Sequence, residues 1–224
     1  MRFKRMNNNF LDKIVYGNAN QEQLPYLVDS RWNGFVRHVS KNPFPTNSSL
    51  ETESEIKELI KYQNLLKMQN NKVLDKYLSY DIGNPFILYK MLLKEKEGKN
   101  FDEVIDQMTE ELKKVCLLIK FQYQRPRPYQ LAPYFKLPLY PYPSLTAQSP
   151  SYPSGHAMQA YAMSSYFSRL FPDRKIELYS IAEDIATSRM FLGLHFPSDT
   201  KFGKYLGELI VKSTLFNEIF YGVR

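Results

Sequence analysis

Proline is concentrated in one part of this chain. Eight of the 14 prolines lie between Pro126 and Pro153, interleaved with tyrosines. Proline lacks a backbone N–H, so this stretch cannot form the interior of a helix or of a central strand. A loop this long within a compact domain is usually functional or disordered, and the tyrosines favour an ordered, packed loop. We therefore predict a long proline- and tyrosine-rich loop, with a flexible interdomain linker as the alternative.

Apolar residues recur at helical spacing before this loop. Asn100, followed by Glu103, is typical of a helix N-cap, and Lys120 lies near the expected end of that helix. Five apolar residues in between fall on one helical face. They are Val104, Met108, Leu112, Val115 and Ile119. The pattern predicts one long helix with a buried stripe.

Other segments also have helical rather than alternating patterns. Helices are expected around Trp32 and Val36 and over residues 51–78, 85–93, 156–171, 176–191 and 200–220. Residues 81–85 are typical of a turn. The predicted fold class is all-α, a compact helical bundle forming a single domain over residues 1–224. Residues 1–90 are expected to be peripheral helices and an arm, and residues 98–220 the core.

Composition limits the classes of function. Thirty Lys and Arg against 23 Asp and Glu give a net charge of +7, which suits an anionic partner such as a phosphate ester, nucleic acid or a membrane surface. The single cysteine, Cys116, excludes an internal disulfide and a Cys-rich zinc site, and its apolar neighbours predict a core thiol. Three histidines argue against a histidine-built metal cage, so no metal site is expected.

No segment has the features of an export signal or a membrane span. The first 21 residues carry several charges and no apolar core. A run of about 18 apolar residues, as a spanning helix needs, does not occur. We expect a cytoplasmic protein without an integral membrane span. The sequence leaves the oligomeric state open, a homo-oligomer included.

Three short segments combine cations with a helix start. They are Lys120–Pro128, Tyr152–His156 and Ser188–Asp199. Lys120, Arg127 and Arg189 supply positive charge, and guanidinium groups match the geometry of phosphate oxygens. Ser154 and Gly155 precede an apolar-periodic stretch, so their N–H groups are expected at a helix N-terminus, which favours an anion. Together these residues predict a pocket for a tetrahedral oxyanion.

Two histidines and an aspartate belong to the same segments. Asp199 follows His195 by four residues, a spacing that shares one helical face, and Pro197 suits the first turn of a helix beginning near His195. A carboxylate on one imidazole nitrogen fixes the tautomer and leaves the other nitrogen basic, as a nucleophile requires. His156, on the opposite side, can protonate a leaving oxygen.

Taken together, the three segments resemble the signature of the type 2 phosphatidic acid phosphatase superfamily. That signature is Lys, six residues and Arg-Pro; then Pro-Ser-Gly-His; then Ser-Arg, five residues, His, three residues and Asp. All three parts occur here without a gap, and the resemblance runs from about Gly98 to Leu209. The superfamily includes soluble class A non-specific acid phosphatases, which this chain resembles most in character, membrane lipid phosphatases and vanadium-dependent haloperoxidases.

The resemblance implies a helical bundle with the site between helices and residues 98–220 as the catalytic core. His195 would attack phosphorus and form a phosphohistidine, Asp199 would orient it, and His156 would protonate the leaving group and then activate water. No metal or other cofactor would be needed. The expected phosphate-binding residues are Lys120, Arg127, Ser154, Gly155 and Arg189.

Several functions are compatible with this pocket. The first is a metal-independent phosphatase acting on small phosphate monoesters, as an acid phosphatase does. The second is a haloperoxidase that binds vanadate as cofactor, with His195 as its ligand. The third is a peripheral lipid-phosphate phosphatase that reaches anionic lipids through its basic surface. Nucleic-acid binding is disfavoured because the cations are dispersed without a recognition motif. A degenerate phosphate binder is disfavoured because every catalytic side chain is present.

Overall fold

The computed structural model describes residues 10–28, 31–39, 44–82, 84–98 and 100–222. Within these residues the regular structure is entirely helical and contains no strand. The all-α prediction is therefore confirmed. The division of the chain into one domain with a peripheral N-terminal part stays a prediction.

Five α-helices lie in the described residues before position 100. They are α1 (Leu24–Leu27), α2 (Asn33–Val39), α3 (Leu50–Met68), α4 (Asn71–Ile82) and α5 (Ile87–Glu97), preceded by a 3-10 turn at Leu11–Lys13. The single helix expected over residues 51–78 is wrong. The backbone becomes extended at Gln69, and the Asn70 side chain accepts a hydrogen bond from Lys72 N (3.1 Å) at the start of the next helix. Asp81 accordingly lies in the last turn of α4 and not in a turn between elements.

Six more α-helices follow in the described residues after position 100. They are α6 (Asp102–Tyr123), α7 (Pro128–Leu131), α8 (Gly155–Leu170), α9 (Lys175–Phe191), α10 (Pro197–Ile210) and α11 (Thr214–Tyr221), with 3-10 turns at Ala132–Phe135 and Pro172–Arg174. One helix was expected over residues 200–220, and two are found. The first ends at Ile210. Ser213 caps the second, because its side chain accepts a hydrogen bond from Phe216 N (3.3 Å).

Helix α6 presents the predicted apolar face to the core. Met108, Leu112, Val115 and Ile119 have no exposed surface, whereas Val104 is only partly buried. The helix starts one residue later than its predicted cap implies: Phe101 occupies the N-cap position, and Asn100 accepts from Asp102 N (2.8 Å).

Helix α8 is packed between α6, α9 and α10. Two glycines allow α10 to approach it closely. A Cβ atom at Gly207 would lie 2.4 Å from the carbonyl oxygen of Met158, and one at Gly203 would lie 2.7 Å from that of Ser154. This contact brings together the N-terminal ends of α8 and α10, where Ser154 N donates to the backbone oxygen of Asp199 (3.0 Å). Two of the three predicted segments therefore meet through backbone packing.

The proline-rich segment is an ordered loop, as predicted. Residues 136–154 have no regular structure. Before them, Pro128 lies in the first turn of α7 and Pro133 in that of the following 3-10 turn. N–H groups in a first turn have no partner within the helix, so proline is tolerated there. At the other end, Tyr152 is buried and stacks on Phe202 of α10, with ring centroids 4.7 Å apart. The loop is thus tied to the bundle next to the start of α8.

Candidate active site

A cavity of about 400 Å³ lies beside α6, α8 and the proline-rich loop. Most of the predicted site residues line it. They are Lys120, Arg127, Gly155, His156, Arg189 and His195. The remaining two, Ser154 and Asp199, are fully buried. Three segments that are far apart in sequence therefore converge on one concave site, beside the loop as predicted.

The hydrogen bonds of His195 define its tautomer. Arg127 Nη1 lies 2.9 Å from Nε2 of His195, and Asp199 Oδ2 lies 3.4 Å from Nδ1. Because a guanidinium group only donates, Nε2 must accept, and the ring hydrogen sits on Nδ1, facing Asp199. The unshared electron pair of His195 is therefore on Nε2, next to the cations of the cavity.

The contact between His195 and Asp199 has a different origin from the one expected. The two residues do not share a helix, because α10 begins at Pro197 and His195 precedes it. Asp199 instead occupies the third helical position, and its carboxylate accepts from Phe196 N (2.9 Å), as an acidic residue does in a capping turn. This turn folds the carboxylate back onto the imidazole.

Asp199 is held by an arginine that was not predicted as a site residue. Arg125 Nη1 donates to Asp199 Oδ1 (2.5 Å), and Ser151 Oγ donates to Oδ2 (2.5 Å). Burial raises the pKa of Asp199, but Arg125, His195 and Ser151 outweigh it and hold that pKa well below its usual range. Arg125 also donates to Glu55 of α3 (3.1 Å). The carboxylate is thus fixed and ionised.

Two cations are oriented by carbonyls of the proline-rich loop. Arg127 Nε donates to Ser149 O (2.8 Å), and Lys120 Nζ donates to Pro150 O. Burial, reinforced by the charge of Arg127, lowers the pKa of Lys120 to about 7. Burial also lowers the pKa of Arg127 to about 10. Both pKa values are lowered because positive charge is buried here. An anion bound in the cavity would compensate that charge.

Arg189 has free donors in the cavity wall. Its Nη2 donates to Asp81 Oδ1 (2.7 Å) and to Thr146 Oγ1 (3.2 Å). Its Nε and Nη1 are buried and have no hydrogen-bond partner among the described residues. Buried charged donors without partners are unfavourable, so these atoms mark a place where an anionic ligand would be stabilised.

His156 lies at the second position of α8. It forms a hydrogen bond with the backbone of Tyr80, and its ring centroid lies 6.4 Å from that of Phe86. Burial and the charge of Arg189 lower the pKa of His156 well below its usual value. Burial and Arg127 do the same to the pKa of His195. Both imidazoles are therefore neutral near pH 7.

The start of α8 differs in one respect from the expected anion-binding terminus. The N–H of Ser154 is already bonded to the backbone of Asp199, so only its hydroxyl, which has no partner among the described residues, is free to donate. A Cβ atom at Gly155 would lie 3.1 Å from Cys116 Sγ. Cys116 is buried, as predicted, and burial raises the pKa of its thiol, although the residue also lines the cavity.

Comparison with known proteins identifies the class. Residues 112–217 match the model of the PAP2 superfamily, and this region contains every predicted site residue. The resemblance drawn from the three segments is confirmed for these residues. The superfamily includes phosphatases, and the match supports a phosphatase-like function.

One similar solved structure is the crystal structure of the first transmembrane PAP2 type phosphatidylglycerolphosphate phosphatase from Bacillus subtilis. It is 17% identical, with a TM-score of 0.40, and the alignment covers 91% of this chain and 92% of that chain. No curated protein sequence matches this chain. None of the described helices is long and apolar enough to span a bilayer.

Proposed function

We propose that this chain hydrolyses phosphate monoesters through a phosphohistidine formed on His195. The supporting observation is the direction of the bonds to that ring. Nε2 accepts from Arg127, so its electron pair points toward the cation cluster of the cavity, and Asp199 stands behind Nδ1. A neutral imidazole with this tautomer is a nucleophile placed at an oxyanion site.

In the first half of the reaction, a phosphoryl group replaces Arg127 Nη1 at Nε2 of His195. Arg127, Lys120 and the free donors of Arg189 then bind its non-bridging oxygens and stabilise the charge of the transition state. Nε2 attacks phosphorus, the ester P–O bond breaks, and protonated His156 gives its proton to the leaving oxygen. The bound phosphate supplies the negative charge that favours protonation of His156.

In the second half, His156 is neutral and takes a proton from water. The resulting hydroxide attacks phosphorus, the P–N bond to His195 breaks, and inorganic phosphate leaves. Asp199 stabilises the positive imidazole ring of the intermediate through Nδ1. Each of the two histidines returns to its starting state.

The proposed substrate is a small phosphorylated molecule, and the proposed reaction uses no metal or other cofactor. The cavity of about 400 Å³ has room for a phosphate and a modest leaving group. Polar residues of α6 and of the loop, including Glu110 and Gln148, line it along with the cations.

The test is hydrolysis of p-nitrophenyl phosphate from pH 4 to 8 with EDTA present, comparing the wild type with His195→Ala. We expect turnover in the wild type and none in the variant, and a phosphoenzyme trapped by acid quench from ³²P-labelled substrate only in the wild type. Turnover or label surviving in a folded His195→Ala variant would remove His195 as nucleophile. Loss of activity in EDTA, restored by a divalent cation, would remove metal independence.

A lipid phosphate ester is the second candidate, and one observation favours it. Leu145 lines the cavity with 67% of its surface exposed, and apolar Phe86 and Leu117 line the cavity as well. Such residues would suit the apolar part of a lipid. Activity on phosphatidate in mixed micelles, with none on soluble esters, would support this candidate. The vanadate-dependent haloperoxidase stays a prediction, tested with peroxide and bromide in the presence of vanadate.

A further inference from the structure

We propose that Asp81 of α4 is a positioning residue for this site, which holds Arg189 and loop residues 144–146 in the arrangement that binds phosphate. The inference rests on the proposed function for its chemistry. It concerns a residue outside the region that matches the superfamily model, residues 112–217.

Asp81 is almost fully buried and accepts four hydrogen bonds. Its Oδ1 accepts from Arg189 Nη2 (2.7 Å), Ser144 Oγ (2.6 Å) and Thr146 Oγ1 (2.7 Å). Its Oδ2 accepts from Leu145 N (2.6 Å). Burial alone raises the pKa of Asp81, but Arg189 and the two hydroxyls hold it well below its usual range. Asp81 is therefore an ionised carboxylate that binds three donors through Oδ1 and one through Oδ2.

The bond from Asp81 determines which atoms of Arg189 are free. A guanidinium group is planar, so fixing Nη2 on a carboxylate also fixes the directions of the other N–H bonds. The two nitrogens left without a partner, Nε and Nη1, belong to a side chain that lines the cavity. Asp81 thus leaves Arg189 with donors for a ligand and without freedom to turn away.

The same carboxylate fixes one wall of the cavity. Leu145 and Thr146 line the cavity, and both are bonded to Asp81. A few residues further on, the loop carbonyls of Ser149 and Pro150 accept from Arg127 and Lys120. Anchoring the loop at residues 144–146 therefore supports the placement of all three phosphate-binding cations.

Asp81 also bears on His156, the proposed general acid. The groups that lower the proton affinity of His156 are Arg189 of α9 and Lys120 of α6, whereas Asp81 and the Tyr80 backbone of α4 raise it. Removing the charge of Asp81 makes His156 harder to protonate. The pH above which the general acid is lost would then move down.

The test is the variant Asp81→Asn, with binding of inorganic phosphate measured by titration calorimetry. Losing one hydrogen-bonded charge on Arg189 is expected to weaken binding about tenfold or more. In an Arg189→Ala background the same change should add little, because residues that act through each other are not additive. The basic limb of kcat should move to lower pH. If Asp81 only stabilised the fold, its effect would be additive with that of Arg189→Ala, and the basic limb of the kcat profile would stay at the same pH.

Glu111→Gln is the matched control. Glu111 is another buried carboxylate, bonded to Trp32 Nε1 (2.9 Å) and to Lys114, and it is not among the described residues that line the cavity. Its removal should leave phosphate binding unchanged. If Asp81→Asn does not fold, Thr146→Val replaces it, since that change removes one donor to Asp81 and one neighbour of Arg189; a few-fold loss of affinity is expected.

Unchanged phosphate affinity in folded Asp81→Asn, or a loss fully additive with Arg189→Ala, would overturn the proposal. A wild type that binds no phosphate would overturn it as well. Binding does not depend on turnover. A wild type that binds phosphate through Asp81 but cleaves no ester would therefore retain this inference and overturn the proposed hydrolase.

Discussion

The site contains two buried arginine–carboxylate pairs that differ in what they leave unbonded. Arg125 donates to Asp199, to Ser198 Oγ (2.7 Å) and to Glu55, and it is not among the described residues that line the cavity. Arg189 donates through one nitrogen to Asp81 and lines the cavity with two nitrogens free. Among the described residues, Arg125 leaves only Nε without a partner and does not line the cavity, so we call its pair with Asp199 the closed pair. The pair of Arg189 with Asp81 is the open pair, because its two free nitrogens belong to a residue that lines the cavity.

This difference indicates that the two pairs have separate roles in the site. A buried ion pair gives little net stability once the desolvation of both charges is counted, so its retention needs another explanation. The closed pair fixes the carboxylate behind His195, the proposed nucleophile. The open pair offers donors where the phosphate oxygens would be. Perturbing the first should change the rate of the chemical step, and perturbing the second should change binding.

The largest effect is expected from the closed pair. Asp199→Asn keeps the shape of the side chain but removes the charge that orients and stabilises His195. We expect kcat to fall by on the order of 10³-fold or more, as for a triad aspartate, while the affinity for inorganic phosphate changes much less. Steady-state kinetics and phosphate titration on the same preparation check this. An equal loss in kcat and in phosphate affinity would contradict the separate roles of the two pairs.

Arg189→Lys tests the open side. Lysine keeps the positive charge but lacks the planar fork, so it cannot bond Asp81 and also present two oriented donors. We expect KM and the inhibition constant of phosphate to rise roughly tenfold to a hundredfold, as for hydrogen bonds to charged groups, with a smaller fall in kcat. A variant with a lower kcat and an unchanged KM would contradict this, because Arg189 would then act on the chemical step and not on binding.

The pH dependence of binding sharpens the same comparison. Lys120 has a pKa lowered to about 7, so it is charged below that pH and becomes neutral as the pH rises through it. Phosphate affinity should therefore fall above about pH 7. Lys120→Arg should remove this fall, because arginine stays protonated. Lys204→Arg, on a lysine bonded to Glu183 (2.6 Å), is the control and should leave the profile unchanged. A profile that Lys120→Arg does not alter would assign the fall to another group.

The residues of the site were not equally predictable. Lys120, Arg127, Arg189 and the histidines belong to segments in which the spacing itself indicated an anion site. Asp81 is separated from Arg189 by 108 positions, and nothing in its local sequence distinguishes it from a carboxylate in a turn. Such partners depend on how α4 packs against α9, which helical periodicity does not specify.

Local structure was predictable where the side chains alone determine it. The buried face of α6 follows from its apolar spacing, and the loop from its prolines. The break between α3 and α4 falls at Gln69 and Asn70, without proline or glycine, so the periodic pattern continued across it. The contact between His195 and Asp199 was expected for the wrong reason, since the spacing of four residues works here through a capping turn.

The smallest expected effects come from two serines that bond the two carboxylates. Ser151 Oγ donates to Asp199 Oδ2, and Ser144 Oγ donates to Asp81 Oδ1 (2.6 Å). Replacing either by alanine removes one hydrogen bond to a buried carboxylate that keeps its arginine. One such bond contributes about 1–3 kcal/mol, and the remaining partners compensate in part, so a few-fold effect is expected from each.

The two variants should nevertheless differ in kind. Ser151→Ala loosens the carboxylate behind His195, so kcat should fall a few-fold with KM nearly unchanged. Ser144→Ala loosens Asp81 and the loop at residues 144–146, so KM and the inhibition constant of phosphate should rise a few-fold with kcat nearly unchanged. Because both changes delete the same chemical group, the contrast depends only on which arginine–carboxylate pair is affected. If both variants changed the same kinetic constant, the two pairs would act as one network.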